Sequence, residues 1–251
     1  MTKPFLKIED LDRKEMAALV GDMFHRILAH YAFWFNEIRH QLGTEKAMEI
    51  LPAASKRSVG IQLGRIGDLL GFEVKDGLPA ALWEMPRKEL LELMDAMAVN
   101  WLANDGVWFQ AVEFPHGMND AKRCNDSCWA HFAPFEADSI KQFLDLPDHP
   151  GLEGLKKAFN FRLYSRVNEQ SIVDEGPDCF VFQMNVCRVQ AARRQKGLDD
   201  YPCKSAGLVE YTYFARSIDS RIETECVGCP PDEHPDQWFC AWRFKLKDAA
   251  T

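Results

Sequence analysis

The sequence predicts an α+β protein in which an N-terminal duplicated helical region is followed by a C-terminal antiparallel sheet with helices packed on it. Three observations predict this class. Apolar residues recur every three or four positions in the first part of the chain, that part matches itself at a constant offset, and the apolar period falls to two in the last part. A turn-rich break at residues 147–151 divides the chain into a helical region, 1–150, and a cysteine-rich α+β domain, 151–251.

The helical region contains two repeats, at about residues 12–72 and 86–146, which align without a gap at an offset of 74 residues. Tryptophan and glycine matches at one constant offset rarely arise by chance. The most informative matching pairs are Trp34 with Trp108, Phe35 with Phe109, Gly43 with Gly117, and Ile66 with Ile140. The repeat predicts two similar helical units that pack as a quasi-symmetric bundle.

Each repeat is expected to hold one long helix with a second helix after it. Asp12 and Glu15 have the spacing of a capping box at the start of the first helix, and Gly43 is typical of a helix end. The second helix is expected to end near Phe72 in the first copy and near Leu146 in the second.

The C-terminal domain is predicted to contain four strands and three helices. Alternation of apolar side chains is clearest at residues 179–187, which are expected to pair with a strand at about 162–173 across a turn at 174–178. The other predicted elements are a short helix at about 152–159, helices at 190–196 and 205–215, and strands at 221–227 and 237–246.

Composition narrows the class of partner. The formal net charge is −8 and no basic stripe is present, which argues against nucleic-acid binding because an acidic surface repels phosphates. The N-terminus lacks the pattern of a signal peptide, and the apolar stretches are too short to span a bilayer, so no membrane partner is expected. We therefore expect a cytoplasmic protein with a small-molecule ligand, and a homodimer is a candidate assembly.

The cysteines of the last third of the chain predict a shared site, and a metal is one interpretation of it. A cytosolic chain of this size neither needs disulfides nor keeps them oxidised. Cys226 and Cys229 form a Cys-x-x-Cys motif suited to zinc or an iron–sulfur cluster. The remaining ligands would come from Cys240, Cys203 or Cys187.

A second interpretation makes one cysteine a nucleophile. Cys203 is predicted at the N-terminus of a helix, where the helix dipole and free N–H groups favour a thiolate, and Cys187 is the alternative. Arg188 can bind an anionic substrate. Glu210, two helical turns after Cys203, is the best-placed general base.

Polar residues on the predicted strands and helices are candidate substrate-binding groups, namely Asn168, Asn185 and Gln190. The competing interpretation is that these residues and Glu210 cap helices or face solvent. Simple burial as small apolar side chains is the favoured interpretation for Cys124, Cys128 and Cys179.

The C-terminal segments resemble those of a known family. The runs that carry the resemblance are 182–188, 201–203, 221–226 and 240–244. They are similar to the L-2-amino-thiazoline-4-carboxylic acid hydrolase-like family, and the ending also resembles 4-vinyl-reductase-type small-molecule-binding domains. Most of the chain resembles an uncharacterised family of bacterial cytosolic proteins, in which a helix like residues 108–112 precedes the cysteine-rich end.

The hydrolase resemblance implies opening of a cyclic carbon–nitrogen bond, with Cys187, Arg188 and Cys203 as the residues carried over. The chain departs from that family at Cys229 and at the insert 230–235, which favours a metal or a changed ligand. Three hypotheses follow: a hydrolase-like enzyme centred on a cysteine, a metal- or small-molecule-binding sensor module without turnover, and a structural zinc site that locks the terminal hairpin.

Overall fold

The computed structural model describes residues 7–197 and 200–247, and the chain forms two compact units divided between Glu84 and Met85. The predicted α+β class is confirmed, because helices precede a four-stranded antiparallel sheet that is itself accompanied by helices. The division differs from the predicted boundary near residue 150, because the second helical repeat belongs to the same unit as the sheet. No helix in the described residues is both long and apolar enough to cross a membrane.

The first unit is built on a helical hairpin, in which α1 spans Arg13–Leu42 and α2 spans Thr44–Leu70. Helix α1 begins at the predicted capping box. The Asp12 carboxylate accepts a hydrogen bond from the Glu15 N–H at 2.8 Å, and the Glu15 carboxylate accepts one from the Asp12 N–H at 2.9 Å. The other elements are a 3₁₀ turn (Ile8–Asp10), the short strands β1 (Val74–Lys75) and β2 (Leu78–Pro79), and helix α3 (Ala81–Glu84).

The second unit opens with a hairpin of matching design, in which α4 spans Arg87–His116 and α5 spans Met118–Phe143. Gly43 joins α1 to α2 with φ of 87°, and Gly117 joins α4 to α5 with φ of 89°. A positive φ is strained for a residue with a Cβ atom, so glycine suits both junctions. These glycines occupy equivalent positions in the predicted repeat.

The sheet has the strand order β3-β4-β6-β5, and each neighbouring pair is antiparallel. Its strands are β3 (Glu169–Gly176), β4 (Cys179–Val186), β5 (Ile222–Gly228) and β6 (Cys240–Leu246). The first strand was expected to begin near residue 162. It begins seven residues later, because Arg162 is buried in ion pairs and the next four residues form a 3₁₀ turn, Leu163–Arg166.

Three further helices accompany the sheet: α6 (Gly151–Phe159), α7 (Arg188–Gln195) and α8 (Lys204–Ile218). Helix α8 contacts α5, α6 and β5. Aromatic rings fill the space between helices and sheet, with the Phe159 ring 4.5 Å from that of Phe182 and 5.5 Å from that of Phe214. This core holds α8 against the strands, and it therefore fixes the position of the side chains on the face of α8 that packs against the sheet.

Candidate functional site

The second unit contains a cavity of about 380 Å³. Its wall is formed by residues of α4, α5, α7, α8, β4 and β6 and by the loops between them. The apolar part of the wall includes Leu102, Phe109, Trp129, Met184 and Trp242. A concave, mainly apolar cavity with a few polar groups is typical of a small-molecule site.

Four cysteines line one part of the cavity, each placed there by the end of an element. Cys187 and Cys203 are the N-cap residues of α7 and α8, and Cys240 is the first residue of β6. Cys229 follows the last residue of β5. All eight cysteines lie in the described residues, and all are free thiols. These four thiols are distant along the chain and line the same cavity. We name Cys203, Cys229 and Cys240 the thiol triad.

Cys229 is the central member of the thiol triad. Hydrogen-bonding contacts with Cys203 and with Cys240, together with burial, raise the pKa of Cys229 well above its usual range. Cys229 is only 1% exposed, whereas Cys203 and Cys240 are partly exposed. Cys229 is thus the buried member that contacts both of the others.

Cys203 has a defined set of partners. The Gln190 side-chain Nε2 donates a hydrogen bond to the Cys203 Sγ at 3.1 Å, and the thiol of Cys203 lies 3.3 Å from the carbonyl oxygen of Tyr201. Gln190 is fully buried and also binds both backbone groups of Tyr201, at 2.8 Å each. Gln190, predicted to bind substrate, instead holds the loop that carries Cys203.

The other candidate nucleophile, Cys187, is less suited to attack. Burial raises the pKa of the Cys187 thiol to about 12, and the nearby Cys203 and Cys240 contribute to the rise. The thiolate is the reactive form of cysteine, so Cys187 is largely unreactive near neutral pH.

Glu210 brings an acid–base group into the cavity from the same face of α8 as Cys203. Its Oε1 lies 2.7 Å from Nη1 of Arg162, whose Nε donates a hydrogen bond to Glu136 at 2.8 Å. Burial is the largest influence and raises the pKa of Glu210 to about 7, although the Arg162 guanidinium opposes it. Glu210 is therefore able to accept or donate a proton near neutral pH.

Asp105 and its neighbours form a polar part of the site that is not among the predicted site residues. Asn125 donates a hydrogen bond from Nδ2 to Asp105 at 3.4 Å and accepts one from the Tyr201 hydroxyl at 2.9 Å. The ammonium group of Lys122 donates to the same hydroxyl at 3.0 Å. Burial raises the pKa of Asp105. One signal could have found this group: Asn-Asp-Gly at 104–106 replaces His-Tyr-Ala of the first repeat.

Several buried polar atoms of the site have no hydrogen-bond partner among the described residues. They include Asn168 Nδ2 and Trp242 Nε1, both on residues that line the cavity. The Oδ1 atom of Asn168 is used, since it accepts a hydrogen bond from the Arg188 N–H at 2.8 Å and so caps α7. A buried donor without a partner is costly, so these atoms favour a polar ligand in the cavity.

Most of the predicted site residues line the cavity: Cys187, Arg188, Cys203, Glu210, Asn168, Cys229 and Cys240. Three others lie outside the cavity wall: Gln190, whose contacts are given above, Asn185 and Cys226. Asn185 donates a hydrogen bond to the Gln237 carbonyl at 3.2 Å in an exposed position. Cys226 lies within β5, partly exposed and outside the cavity wall.

The predicted metal ligands Cys203, Cys226, Cys229 and Cys240 all lie in the second unit. Within residues 7–197 and 200–247, no three side chains of His, Cys, Asp or Glu are grouped so as to hold a metal ion. Of the two cysteines of the Cys-x-x-Cys motif, Cys229 belongs to the thiol triad and Cys226 lies within β5.

Comparison with known proteins gives a family match alone. The model of a family of unknown function (DUF6125) matches residues 9–85 and 83–246. No curated protein and no solved structure matches the chain.

Proposed function

The chain belongs to this DUF6125 family of unknown function, and we propose that it is a small-molecule hydrolase-like enzyme whose substrate binds in the cavity. The observation that carries the proposal is the joint presence of Cys203 and Glu210 on one cavity wall. A thiol at a helix N-terminus is a nucleophile, and a carboxyl group with a pKa of about 7 is a proton carrier at neutral pH.

The cavity is suited to a substrate with an apolar body and a polar end. A volume of about 380 Å³ lies within the usual range for small-molecule sites, and aromatic side chains supply much of the wall. Arg188 also lines the cavity, and in this proposal its guanidinium holds the substrate carboxylate. Asn168 Nδ2 is a free donor for a second polar group of the substrate.

The proposed reaction opens a carbon–nitrogen bond, as in a small ring. The Cys203 thiolate bonds to the electrophilic carbon, the carbon–nitrogen bond breaks, and the leaving nitrogen takes the proton of Glu210. Water then adds its hydroxyl to the same carbon and gives its other proton to Glu210, and the carbon–sulfur bond breaks to restore the Cys203 thiolate. Seven residues separate Cys203 from Glu210, about 10 Å along the helix axis. The substrate, rather than a direct contact, therefore bridges the two groups.

A binding module without turnover is the second candidate. One observation favours it: the Arg162 guanidinium lies 2.7 Å from Glu210 and is shared with Glu136, an arrangement that also has a purely structural use. In this alternative the same cavity selects the ligand, and the thiol triad and Asn168 contact it without bond cleavage.

Turnover and binding tests separate the two candidates. Purified protein is incubated with thiazoline carboxylates and small lactams, and ring opening is followed by mass spectrometry. We expect wild-type turnover, a loss of at least about 100-fold in Cys203→Ser, and none in the exposed control Cys124→Ser. Saturable quenching of tryptophan fluorescence without ring opening would instead support the binding module. Neither turnover nor binding by any compound would count against both.

The cytoplasm is the proposed location, since its reducing thiol pools keep all eight cysteines free. A homodimer stays a prediction.

A further inference from the structure

We propose that Cys203 and Cys229 form a peroxide-sensitive dithiol, which hydrogen peroxide or an organic hydroperoxide converts to a disulfide. The proposal goes beyond hydrolysis and does not depend on it, because oxidation of the thiols requires no substrate. It assigns an oxidation site to one pair among eight free cysteines.

The backbone places Cys229 between Cys203 and Cys240. Gly228 of β5 pairs with Ala241 of β6, so the next residues outward, Cys229 and Cys240, face one another across the opening of the hairpin. The Lys204 N–H donates a hydrogen bond to the Pro230 carbonyl at 2.9 Å, which ties the start of α8 to the residue after Cys229. The side-chain contacts of the thiol triad follow from these backbone links.

The two sulfurs differ in access, and this assigns their roles. Cys203 is partly exposed and lines the cavity, whereas Cys229 is 1% exposed. A peroxide that enters the cavity therefore meets Cys203 first. The amide donor of Gln190, 3.1 Å from its sulfur, and the adjoining N-terminus of α8 stabilise negative charge there.

The oxidation proceeds in two balanced steps. The Cys203 sulfur attacks one peroxide oxygen, the oxygen–oxygen bond breaks, and Cys203 becomes a sulfenic acid while water or an alcohol leaves. The sulfenic oxygen of Cys203 then removes the Cys229 proton as the Cys229 sulfur attacks the Cys203 sulfur, so no free Cys229 thiolate is needed. The sulfur–oxygen bond breaks and that oxygen leaves as water. The dithiol loses two electrons, the peroxide gains them, and an external dithiol reverses the change.

The test uses the full chain and one equivalent of hydrogen peroxide. Remaining thiols are alkylated under denaturing conditions and the peptides are mapped by mass spectrometry. We expect two of the eight thiols to disappear together, a link between residues 203 and 229, and full recovery with dithiothreitol. Cys124→Ser is the matched control and should form the same link, because Cys124 is exposed on α5. Cys203→Ser should abolish it.

Three outcomes would overturn the proposal. They are a first link between residues 229 and 240, accumulation of sulfinic acid at Cys203 with Cys229 still free, and uniform oxidation led by surface cysteines. Because the wild-type peptide map decides the matter, misfolding of a variant does not obscure it. A protein that hydrolyses no substrate but forms the link would retain this inference and lose only the proposed enzyme function.

Discussion

At the scale of single residues, buried charge is concentrated around the Arg162 guanidinium. Arg162 is 2% exposed, and the carboxylates of Glu136 and Glu210 both lie within 2.8 Å of its nitrogens. Burial alone would lower the pKa of Arg162, but the two carboxylates outweigh it and raise the pKa. Two acids around one cation leave an excess negative charge, and a proton on Glu210 removes it.

Replacement of Glu210 by glutamine should change how stability depends on pH. The pKa of Glu210 is about 7 in the folded protein and 4.5 in the reference state. The folded protein therefore binds more protons between these values, so this group lowers stability as pH rises from about 4.5 to about 7. Between about pH 4.5 and 7, this group should lower the free energy of unfolding of the wild type by on the order of 3 kcal/mol. Glu210→Gln should not show this decrease, because glutamine does not titrate.

The measurement is urea unfolding of both proteins at several pH values between about 4.5 and 8. The stability of wild type minus that of Glu210→Gln should fall across this range, and salt should affect it weakly because the site is buried. The Glu175→Gln variant is a control, since Glu175 is partly exposed and its pKa is lowered by Arg243. A difference curve that rises with pH would contradict the assignment.

At the scale of elements, the close approach of α8 to β6 depends on one glycine. A Cβ atom on Gly207 would lie 2.4 Å from Cζ2 of Trp242, which is fully buried. Trp242 also stacks on Tyr211 at 4.8 Å, so the indole has little room to move. The spacing of this helix from the sheet, and with it one wall of the cavity, is fixed by this contact.

Gly207→Ala should therefore destabilise the protein although alanine favours helices. We expect a loss of about 1–3 kcal/mol from overpacking, measured as a lower midpoint in thermal or urea unfolding. Gly106→Ala is the matched control, because Gly106 is also helical and a Cβ there meets nothing within 4 Å. That variant should be neutral or gain up to about 1 kcal/mol. Equal unfolding midpoints for the two variants would contradict the prediction, because they would show that the Trp242 ring can shift to make room for the added methyl group.

Elements with a strong local pattern were predictable from sequence, and long-range placements were not. The capping box at Asp12 and the alternation in β4 are local, and both were predicted correctly. The sequence could predict that Cys229 and Cys240 are neighbours, because they lie at adjoining ends of two paired strands. Asp105 and Asn125 could not be predicted as site residues, because they lie on helices of the repeat and reach the cavity only through packing of α4 and α5.

At the scale of the whole molecule, the large buried core belongs to one unit. In described residues 7–84 the buried residues are Ala47 and Gly67, while large apolar side chains of α1 such as Phe24 and Trp34 are exposed. The extended core around Phe159 and Trp242 and the cavity itself belong to residues after Glu84. The second unit thus has the means to fold alone and the first does not.

Separate expression of residues 85–251 and 1–84 tests this asymmetry. We expect 85–251 to unfold cooperatively, with a tryptophan fluorescence change, because it contains its own core. Fragment 1–84 should show partial helix by circular dichroism but no cooperative transition, because a hairpin whose described residues bury one side chain, that of Ala47, gains little from packing. Gly207→Ala in the larger fragment should lower its midpoint as in the full chain. A cooperative transition in 1–84 alone, or none in 85–251, would mean that the two units depend on each other for folding.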